Sequence, residues 1–281
     1  MAKTPDPRLR EVTSALVKHL HEFVREVRPT TTEFEQACAF VVNLGQATSA
    51  QKNEVILASD ILGVSTLITL QNDQGRPENE GRDKTDSALL GPFWRGGAPL
   101  LAHGDNIARG DEAQLPGQLL LVSGTVRNSD GEPVADATVD VWQASPKGFY
   151  ENQDASQPDM NLRGRFQTDA MGRYEFRSVR PSGYPVPVDG PCGALLRAQK
   201  RHPYRPAHLH FMVSKPGYEV LVTQFFADDD ERLHSDVTFS VVESLVGKFQ
   251  KHGHGDTAYY TVAYDLVLQR GEMVLPIPPI P

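Results

Sequence analysis

The sequence has few cysteines, no long apolar run and no basic region, and each absence excludes a class of protein. Its 281 residues include 2 cysteines, Cys38 and Cys192, so we expect no disulfide framework and a cytoplasmic location. No apolar run approaches the roughly 18 residues of a membrane-spanning helix, and the N-terminus lacks the apolar core of a secretion signal. The net charge of −8 and the dispersed lysines and arginines argue against nucleic acid as a partner.

The first part of the chain has the apolar periodicity of helices. Apolar residues recur at three-to-four-residue steps from Leu9 to Val27, from Phe34 to Val42 and from Val55 to Ile68. Three helices of this length cannot bury all of their apolar faces by themselves. Two arrangements stay open: the helices pack on the following domain, or part of their apolar surface forms a homodimer interface or a lipid groove.

After Gln118 the periodicity changes to two, which is typical of strands with one buried face. We therefore predict a mainly β fold with a helical N-terminal region. In this fold an antiparallel β-sandwich catalytic domain (residues 116–281) follows an α-helical dimerisation or linker region (residues 1–115). The predicted strands are Gln118–Arg127, Thr138–Gln143, Arg163–Gln167, Arg173–Arg177, His208–Val213, Glu219–Phe226 and Tyr259–Leu268.

The sequence also predicts the structure of two segments that connect these strands. The turn sequence Asp169-Ala170-Met171-Gly172 lies between the third and fourth predicted strands and indicates a hairpin. The apolar pattern from Val237 to Phe249 predicts one helix inserted late in the domain.

The stretch Arg205-Pro206-Ala207-His208-Leu209-His210-Phe211 is the strongest functional signal. Side chains alternate faces along a strand, so His208 and His210 project to the same side, about 7 Å apart along the backbone. Two imidazoles on one rigid strand are half of a metal site. Leu209 and Phe211 then face a sandwich core. The competing interpretation is that both histidines are ordinary hydrogen-bonded residues on a half-exposed face.

Two tyrosines occupy positions that are unusual for core residues. Tyr150 follows a strand, and Tyr184 lies between Gly183 and Pro185 in a loop. Each could be a packing tyrosine with a hydrogen-bonded hydroxyl. Together with the His-x-His strand they suggest a mononuclear site with two phenolates and two imidazoles. Phenolate is a hard anion that favours a highly charged cation such as ferric iron.

At these residues the chain resembles the intradiol ring-cleavage dioxygenases, specifically the catechol and hydroxyquinol 1,2-dioxygenases. The resemblance extends from about Val55 to Arg270. The motifs that carry it, in family order, are Leu90-Gly91-Pro92-Phe93-Trp94, Val139-Asp140-Val141-Trp142-Gln143-Ala144, Leu162-Arg163-Gly164-Arg165-Phe166, Gly190-Pro191 and Arg205-Pro206-Ala207-His208-Leu209-His210.

The resemblance implies an enzyme that binds one Fe(III) per chain and uses dioxygen to cleave an aromatic diol between its two hydroxylated carbons. A catechol substrate gives a cis,cis-muconate-type dicarboxylic acid, and a hydroxyquinol substrate, the alternative, gives maleylacetate. The implied metal ligands are Tyr150, Tyr184, His208 and His210. The resemblance makes Arg205, Tyr184 and Gln224 the catalytic residues, with Tyr184 leaving the metal to accept a substrate proton. It also implies a homodimer formed through the N-terminal helices.

The substrate signals conflict. Several stretches, among them Ser59–Ser65 and Pro185–Pro191, are similar to the hydroxyquinol branch. Thr69, however, stands where that branch often carries an acid suited to a third ring hydroxyl, and Gln224 is similar to the catechol branch. We expect the substrate pocket wall to include Leu67, Leu89, Pro92 and Phe93.

Two other protein classes compete with this interpretation. Asp130-Gly131-Glu132-Pro133-Val134 also resembles a stretch of non-catalytic, transthyretin-like β-sandwich modules, in which the tyrosines and histidines would be structural. A zinc hydrolase would use His, Cys and carboxylate ligands. Outside the motif the clustered histidines are His252 and His254, in a Gly-rich stretch that is typical of an exposed loop. A coloured, redox-active metal would distinguish the dioxygenase from both.

Overall fold

The computed structural model describes residues 3–49, 52–74 and 84–279. The chain divides into two compact units, residues 1–46 and residues 47–281. The sequence analysis predicts the boundary between residues 115 and 116. The compact units divide earlier, because the helices that follow residue 53 belong to the second unit. The predicted division of roles between a dimerisation region and a catalytic domain stays a prediction.

The first unit is formed by α1 (Pro7–Val27) and α2 (Thr31–Ala47). The side chain of Asp6 accepts hydrogen bonds from the backbone N–H groups of Arg8 and Leu9, and this cap fixes where α1 begins. The helix ends at Arg28, whose backbone is left-handed with φ 52°. Both helices match the predicted segments, and α1 has no buried residue.

The third predicted helix is two helices, α3 (Glu54–Ile61) and α4 (Val64–Gln74). They meet at an angle of 72°. The break falls at Gly63, whose φ of +73° lies in the left-handed region that favours glycine. Among the described residues no single helix is long and apolar enough to cross a membrane, and this bent pair meets that test by length and composition only.

The second unit contains two five-stranded sheets and a two-stranded ribbon. The strands are β1 (Leu119–Asn128), β2 (Thr138–Trp142), β3 (Arg163–Gln167), β4 (Arg173–Val179), β5 (Tyr184–Pro185), β6 (Tyr204–Arg205), β7 (His208–Ser214), β8 (Leu221–Ala227), β9 (Val246–Gly247), β10 (Gln250–His252), β11 (Tyr259–Ala263) and β12 (Leu266–Leu268). One further helix, α5, spans Pro191–Ala198. One sheet has the strand order β10-β11-β1-β12, and β4 also pairs with β1. The other sheet has the order β3-β2-β7-β8-β9, and β5 and β6 form the ribbon.

The predicted mainly β fold with a helical N-terminal region is confirmed, and the sheets prove to be mixed. The strand β1 pairs in parallel with β11 and β12, and β8 pairs in parallel with β9, while the other ladders are antiparallel. The inward faces of the two large sheets share one apolar core. Its members include Val122 and Phe176 from the first sheet and Leu209, Phe211 and Phe225 from the second.

The predicted hairpin between residues 163–167 and 173–177 is wrong. The strand β3 pairs with β2, whereas β4 pairs with β1 in the other sheet. The Asp169 side chain accepts hydrogen bonds from the N–H groups of Met171 and Arg173, and Thr168 donates to the carbonyl of Val134. These bonds hold a turn that carries the chain from one sheet to the other.

The predicted helix over Val237–Phe249 is also wrong. This segment is irregular apart from a short 3-10 turn at Glu243–Leu245 and the strand β9, which pairs with β8. Its β-branched residues have low helix propensity. Val241, Val242 and Leu245 instead pack around Phe226. The extended path brings residues 236–240 to the predicted site.

Candidate active site

The two predicted histidine ligands lie side by side on β7, on the face opposite the sandwich core. His208 is 2% exposed and His210 is 1% exposed, and their Nε2 atoms are 3.2 Å apart. The Nδ1 atom of His208 lies 2.7 Å from the carbonyl oxygen of Pro206. Because a carbonyl can only accept a hydrogen bond, Nδ1 carries the proton, and Nε2 is the nitrogen whose lone pair can bind a cation.

The two predicted tyrosine ligands meet at the same place. The hydroxyl oxygens of Tyr150 and Tyr184 are 3.3 Å apart, and both residues are buried. The ring of Tyr184 lies 5.4 Å from that of His208, and the ring of Tyr150 lies 6.4 Å from that of His210. The four predicted ligands, which span 61 positions of the chain from 150 to 210, therefore form one cluster.

Tightly packed rings hold these side chains in place. Trp142, opposite His210 in the sheet, stacks on its ring at 4.8 Å with 10° between the planes. Phe93 stacks on Tyr150 at 4.7 Å. Gly91 has a φ of +75°, and a Cβ at this position would lie 3.3 Å from the His210 ring. Two of the sequence motifs thus fix the orientation of the predicted ligands.

Electrostatics keep all four groups uncharged without a cation. Burial, followed by the charge of Arg205, lowers the pKa of His208 to about 3, and burial and the neighbouring His208 lower the pKa of His210 well below its ordinary value. Burial also raises the pKa of both tyrosines, and for Tyr150 the adjacent Tyr184 raises it further. Two phenolates here therefore require a strongly charged partner.

The predicted catalytic residues Arg205 and Gln224 lie against this cluster. Both are buried, and Nη2 of Arg205 donates to Oε1 of Gln224 at 2.8 Å. Nη1 of Arg205 lies 3.3 Å from Nε2 of His208. The amide of Gln224 donates to the carbonyl of Leu89 at 2.6 Å, which fixes its orientation. A fixed cation and a fixed amide thus border the four predicted ligands.

The predicted pocket-wall residues Leu67, Leu89, Pro92 and Phe93 differ in their surroundings. Phe93 contacts Tyr150, and Leu89 lines a narrow cavity together with Ser240. Leu67 is 56% exposed and does not line this cavity. The residues of α4 that do line it are Thr66, Thr69 and Leu70, and their spacing of three and four could have indicated one helix face.

Sequence reasoning missed two polar residues of the site, Asp236 and Ser240. Both are buried and hydrogen-bond the guanidinium of Arg205. They lie at the start of the segment 236–249, most of which the sequence predicts as helix. The alternation of polar and apolar residues could have revealed them. Asp236, Thr238 and Ser240 are polar at every second position, which is typical of an extended segment.

The cluster suits a hard, highly charged metal ion. It offers two imidazole nitrogens and two phenol oxygens, and phenolate oxygen is a donor that ferric iron prefers. In the part of the chain that the structure describes, no group of three or more His, Cys, Asp and Glu side chains could hold a metal ion. The zinc-type ligand set of the alternative interpretation is therefore not found among those residues.

Comparison with known proteins finds matches to one enzyme family over nearly the whole chain. A family model described as dioxygenase matches residues 90–270, and one described as catechol dioxygenase N terminus matches residues 6–80. The chain is 43% identical to a hydroxyquinol 1,2-dioxygenase of Rhizobium sp., covering 96% of this chain and 92% of the relative. It is 36% identical to a catechol 1,2-dioxygenase of Candida albicans, with 93% and 86% covered.

Solved structures agree with the sequence matches. The crystal structure of hydroxyquinol 1,2-dioxygenase from Pseudomonas putida DLL-E4 superimposes with a TM-score of 0.86 at 38% identity, covering 96% of this chain and 94% of that one. Catechol 1,2-dioxygenase from Pseudomonas arvilla C-1 gives a TM-score of 0.80 at 30% identity, with 95% and 87% covered. The chain belongs to the intradiol ring-cleavage dioxygenases, a family of oxidoreductases that act in aromatic catabolism.

Proposed function

We propose that this enzyme binds one Fe(III) per chain through Tyr150, Tyr184, His208 and His210, and cleaves aromatic 1,2-diols with dioxygen between the two hydroxylated carbons. The observation that carries the proposal is the buried cluster, with phenol oxygens 3.3 Å apart and imidazole nitrogens 3.2 Å apart. When bound, ferric iron supplies a Lewis-acidic centre that activates a chelated diol toward dioxygen.

Three residues at the proposed metal site have separate roles in the reaction. Tyr184 would accept the second proton of the diol at its Oη atom, because a tyrosinate that is not bound to a metal is a much stronger base than a metal-bound one. Arg205 stabilises negative charge that develops on the ring, since its cation is held in place in a site with little water. Gln224 borders the ring and holds Arg205 on its Nη2 side.

We propose hydroxyquinol as the preferred substrate, with maleylacetate as its product, on the strength of the similarity to hydroxyquinol 1,2-dioxygenases. Catechol, which gives cis,cis-muconate, is the second candidate. Thr69 favours it, because this cavity residue offers a neutral hydroxyl that already donates to the carbonyl of Ser65 at 3.0 Å.

A substrate panel tests this proposal. Oxygen uptake and product analysis with hydroxyquinol, catechol, methylcatechols, chlorocatechols and protocatechuate should give the highest kcat/KM for hydroxyquinol, by at least about tenfold over catechol. A preference for catechol would establish the second candidate, and no oxygen uptake with any diol would reject the proposed activity.

We also propose that the N-terminal helices form a homodimer interface, with a bound lipid as a possible second occupant of their apolar surface. Seven of the eight large apolar residues of α1, all except Val17, are about half exposed, and this area is far larger than a surface helix normally leaves in water: Leu9, Val12, Leu16, Leu20, Phe23, Val24 and Val27. The two cysteines are free, as expected for the cytoplasmic location that we also propose.

Light scattering at micromolar concentration should give twice the 31.0 kDa chain mass. Leu16→Glu places a charge in the middle of the exposed stripe of α1 and should shift the protein to monomer. Ser14→Glu, which lies outside the stripe, is the matched control and should leave the dimer intact. A wild-type monomer would reject the proposed interface.

A further inference from the structure

The guanidinium of Arg205 is held along one edge. Its Nε atom donates to Oδ1 of Asp236 at 3.2 Å, and Nη2 donates to Oδ2 at 3.3 Å. Nη2 also donates to Gln224 at 2.8 Å and to the hydroxyl of Ser240. These acceptors all lie on the Nε and Nη2 side. Nη1 is therefore the group that faces the predicted metal ligands, 3.3 Å from Nε2 of His208.

Asp236 is itself fixed by the loop that follows it. Its carboxylate accepts hydrogen bonds from the hydroxyls of Thr238 and Ser240 at 3.0 and 2.7 Å, and from the backbone N–H groups of the same two residues at 3.3 and 3.2 Å. The loop is tied to α4, because Thr66 donates to the carbonyl of Thr238 at 2.9 Å. The carboxylate thus has little freedom to move.

Asp236 and Arg205 form a buried ion pair whose charges compensate each other. Burial favours the neutral form of Asp236, but the charge and hydrogen bonds of Arg205 and the bonds from the loop outweigh it and hold the pKa of this carboxyl below its ordinary value. Asp236 in turn raises the pKa of Arg205 against the effect of burial. An unpaired cation in this position would oppose the binding of a trivalent metal ion.

We propose that Asp236 is a positioning residue for the ring-cleavage reaction: it selects which edge of the Arg205 guanidinium faces the substrate, and it keeps that cation in place. This inference rests on the proposed function. Asp236 is not hydrogen-bonded to the predicted ligands and does not line the cavity between Leu89 and Thr69; its hydrogen bonds reach the site through Arg205 and Ser240. A bidentate carboxylate suits this task because it matches the planar fork of a guanidinium.

The alternative role for Asp236 is purely structural, as one half of a buried ion pair. Removing one partner of such a pair leaves an uncompensated charge and destabilises the fold. A double-mutant cycle separates the two roles, because a residue that acts through Arg205 loses its effect on turnover when Arg205 is absent. A structural residue keeps its effect in both backgrounds.

The experiment measures Asp236→Asn, Arg205→Ala and the double variant, with the best diol of the panel. We expect Asp236→Asn to lower kcat about tenfold or more, with a smaller change in KM and with iron content and the visible band retained. In the Arg205→Ala background the same substitution should change kcat by less than about twofold. An equal loss in both backgrounds would overturn the proposal.

Two further variants keep the test decisive if Asp236→Asn folds poorly. Ser240→Ala removes one bond to Asp236 and one to Arg205, and should lower kcat severalfold with the iron content retained; unchanged kcat would count against the proposal. Glu54→Gln is the matched control, since Glu54 is also buried and also paired with a cation, Lys52 at 3.4 Å, but does not contact Arg205; it should leave kcat unchanged.

A crystal structure of iron-loaded Asp236→Asn gives a readout that does not depend on activity. Compared with the iron-loaded wild-type structure, the guanidinium should be displaced or rotated so that Nε and Nη2 no longer both face residue 236, and an unmoved guanidinium would contradict the proposal. If the wild-type enzyme turned over no diol but the guanidinium moved as described, the proposed function would fail and the positioning role would stand.

Discussion

Tyr150→Phe should lose most of the bound iron, whereas Tyr184→Phe should keep its iron and lose turnover. Both residues are proposed phenolate ligands, yet a chelating diol would need two coordination positions on a metal held by four protein ligands and a water or hydroxide. One tyrosine would therefore have to leave. The tyrosine that leaves would become a base for the substrate, and the one that stays would hold the metal in its ferric state.

The surroundings of the two tyrosines differ in the way this assignment requires. Phe93 stacks on the Tyr150 ring at 4.7 Å, and the guanidinium of Arg163 lies 5.8 Å from the ring centre on a side chain held by Glu151. Tyr184 instead lies on the two-residue strand β5, opposite Arg205 in β6. Tyr184 is thus the tyrosine that lies opposite the Arg205 cation, which can stabilise its anion.

Stopped-flow absorbance under anaerobic conditions, with iron analysis of each variant, tests this prediction. Tyr184→Phe should bind the diol much more slowly than wild type, because it lacks the base for the second proton. Tyr218→Phe, a conservative change outside the cluster, is the control and should behave as wild type. If Tyr184→Phe binds the diol as fast as wild type, Tyr184 is not the base.

Arg205→Ala should reduce kcat on the order of a hundredfold while most of the iron is retained. This is the typical loss when one preorganised charge-stabilising group is removed from an enzyme site. The guanidinium is buried beside His208, so no solvent cation can replace it. The variant also leaves Asp236 without its partner, and a lower melting temperature is expected for that reason.

Iron content and turnover must be compared on the same Arg205→Ala preparation. The double variant with Asp236→Asn relieves the unpaired carboxylate and should regain melting temperature but not kcat. Parallel losses of iron and activity, both restored in the double variant, would make Arg205 a structural residue instead.

The parts of the site that the sequence could predict are those governed by short-range rules. Strand alternation is sufficient to place His208 and His210 on one face and Leu209 and Phe211 in the core, and the structure has this arrangement. The strands themselves follow from the same period-two pattern. Tyr150 and Tyr184 have no such local signature, and only the family resemblance assigns them to the site.

The errors arise where the outcome depends on distant parts of the chain. The turn at Asp169–Gly172 has local hairpin chemistry, but its two strands find different partners, and partner choice is a property of the whole sandwich. The segment 237–249 has a helical apolar pattern, yet packing around Phe226 and pairing with β8 keep it extended. The pairing of Asp236 with Arg205 could not be recognised, because the two residues are 31 positions apart in the chain.

Metal analysis of the purified protein together with its visible spectrum tests the proposed ferric centre most directly. We expect about one iron per chain and a red-brown colour, because two phenolates bound to ferric iron give charge-transfer absorption in the visible range. Removal of the iron should abolish both the colour and the activity, and ferric iron should restore them. A colourless protein that holds stoichiometric zinc and is active without iron would contradict the account.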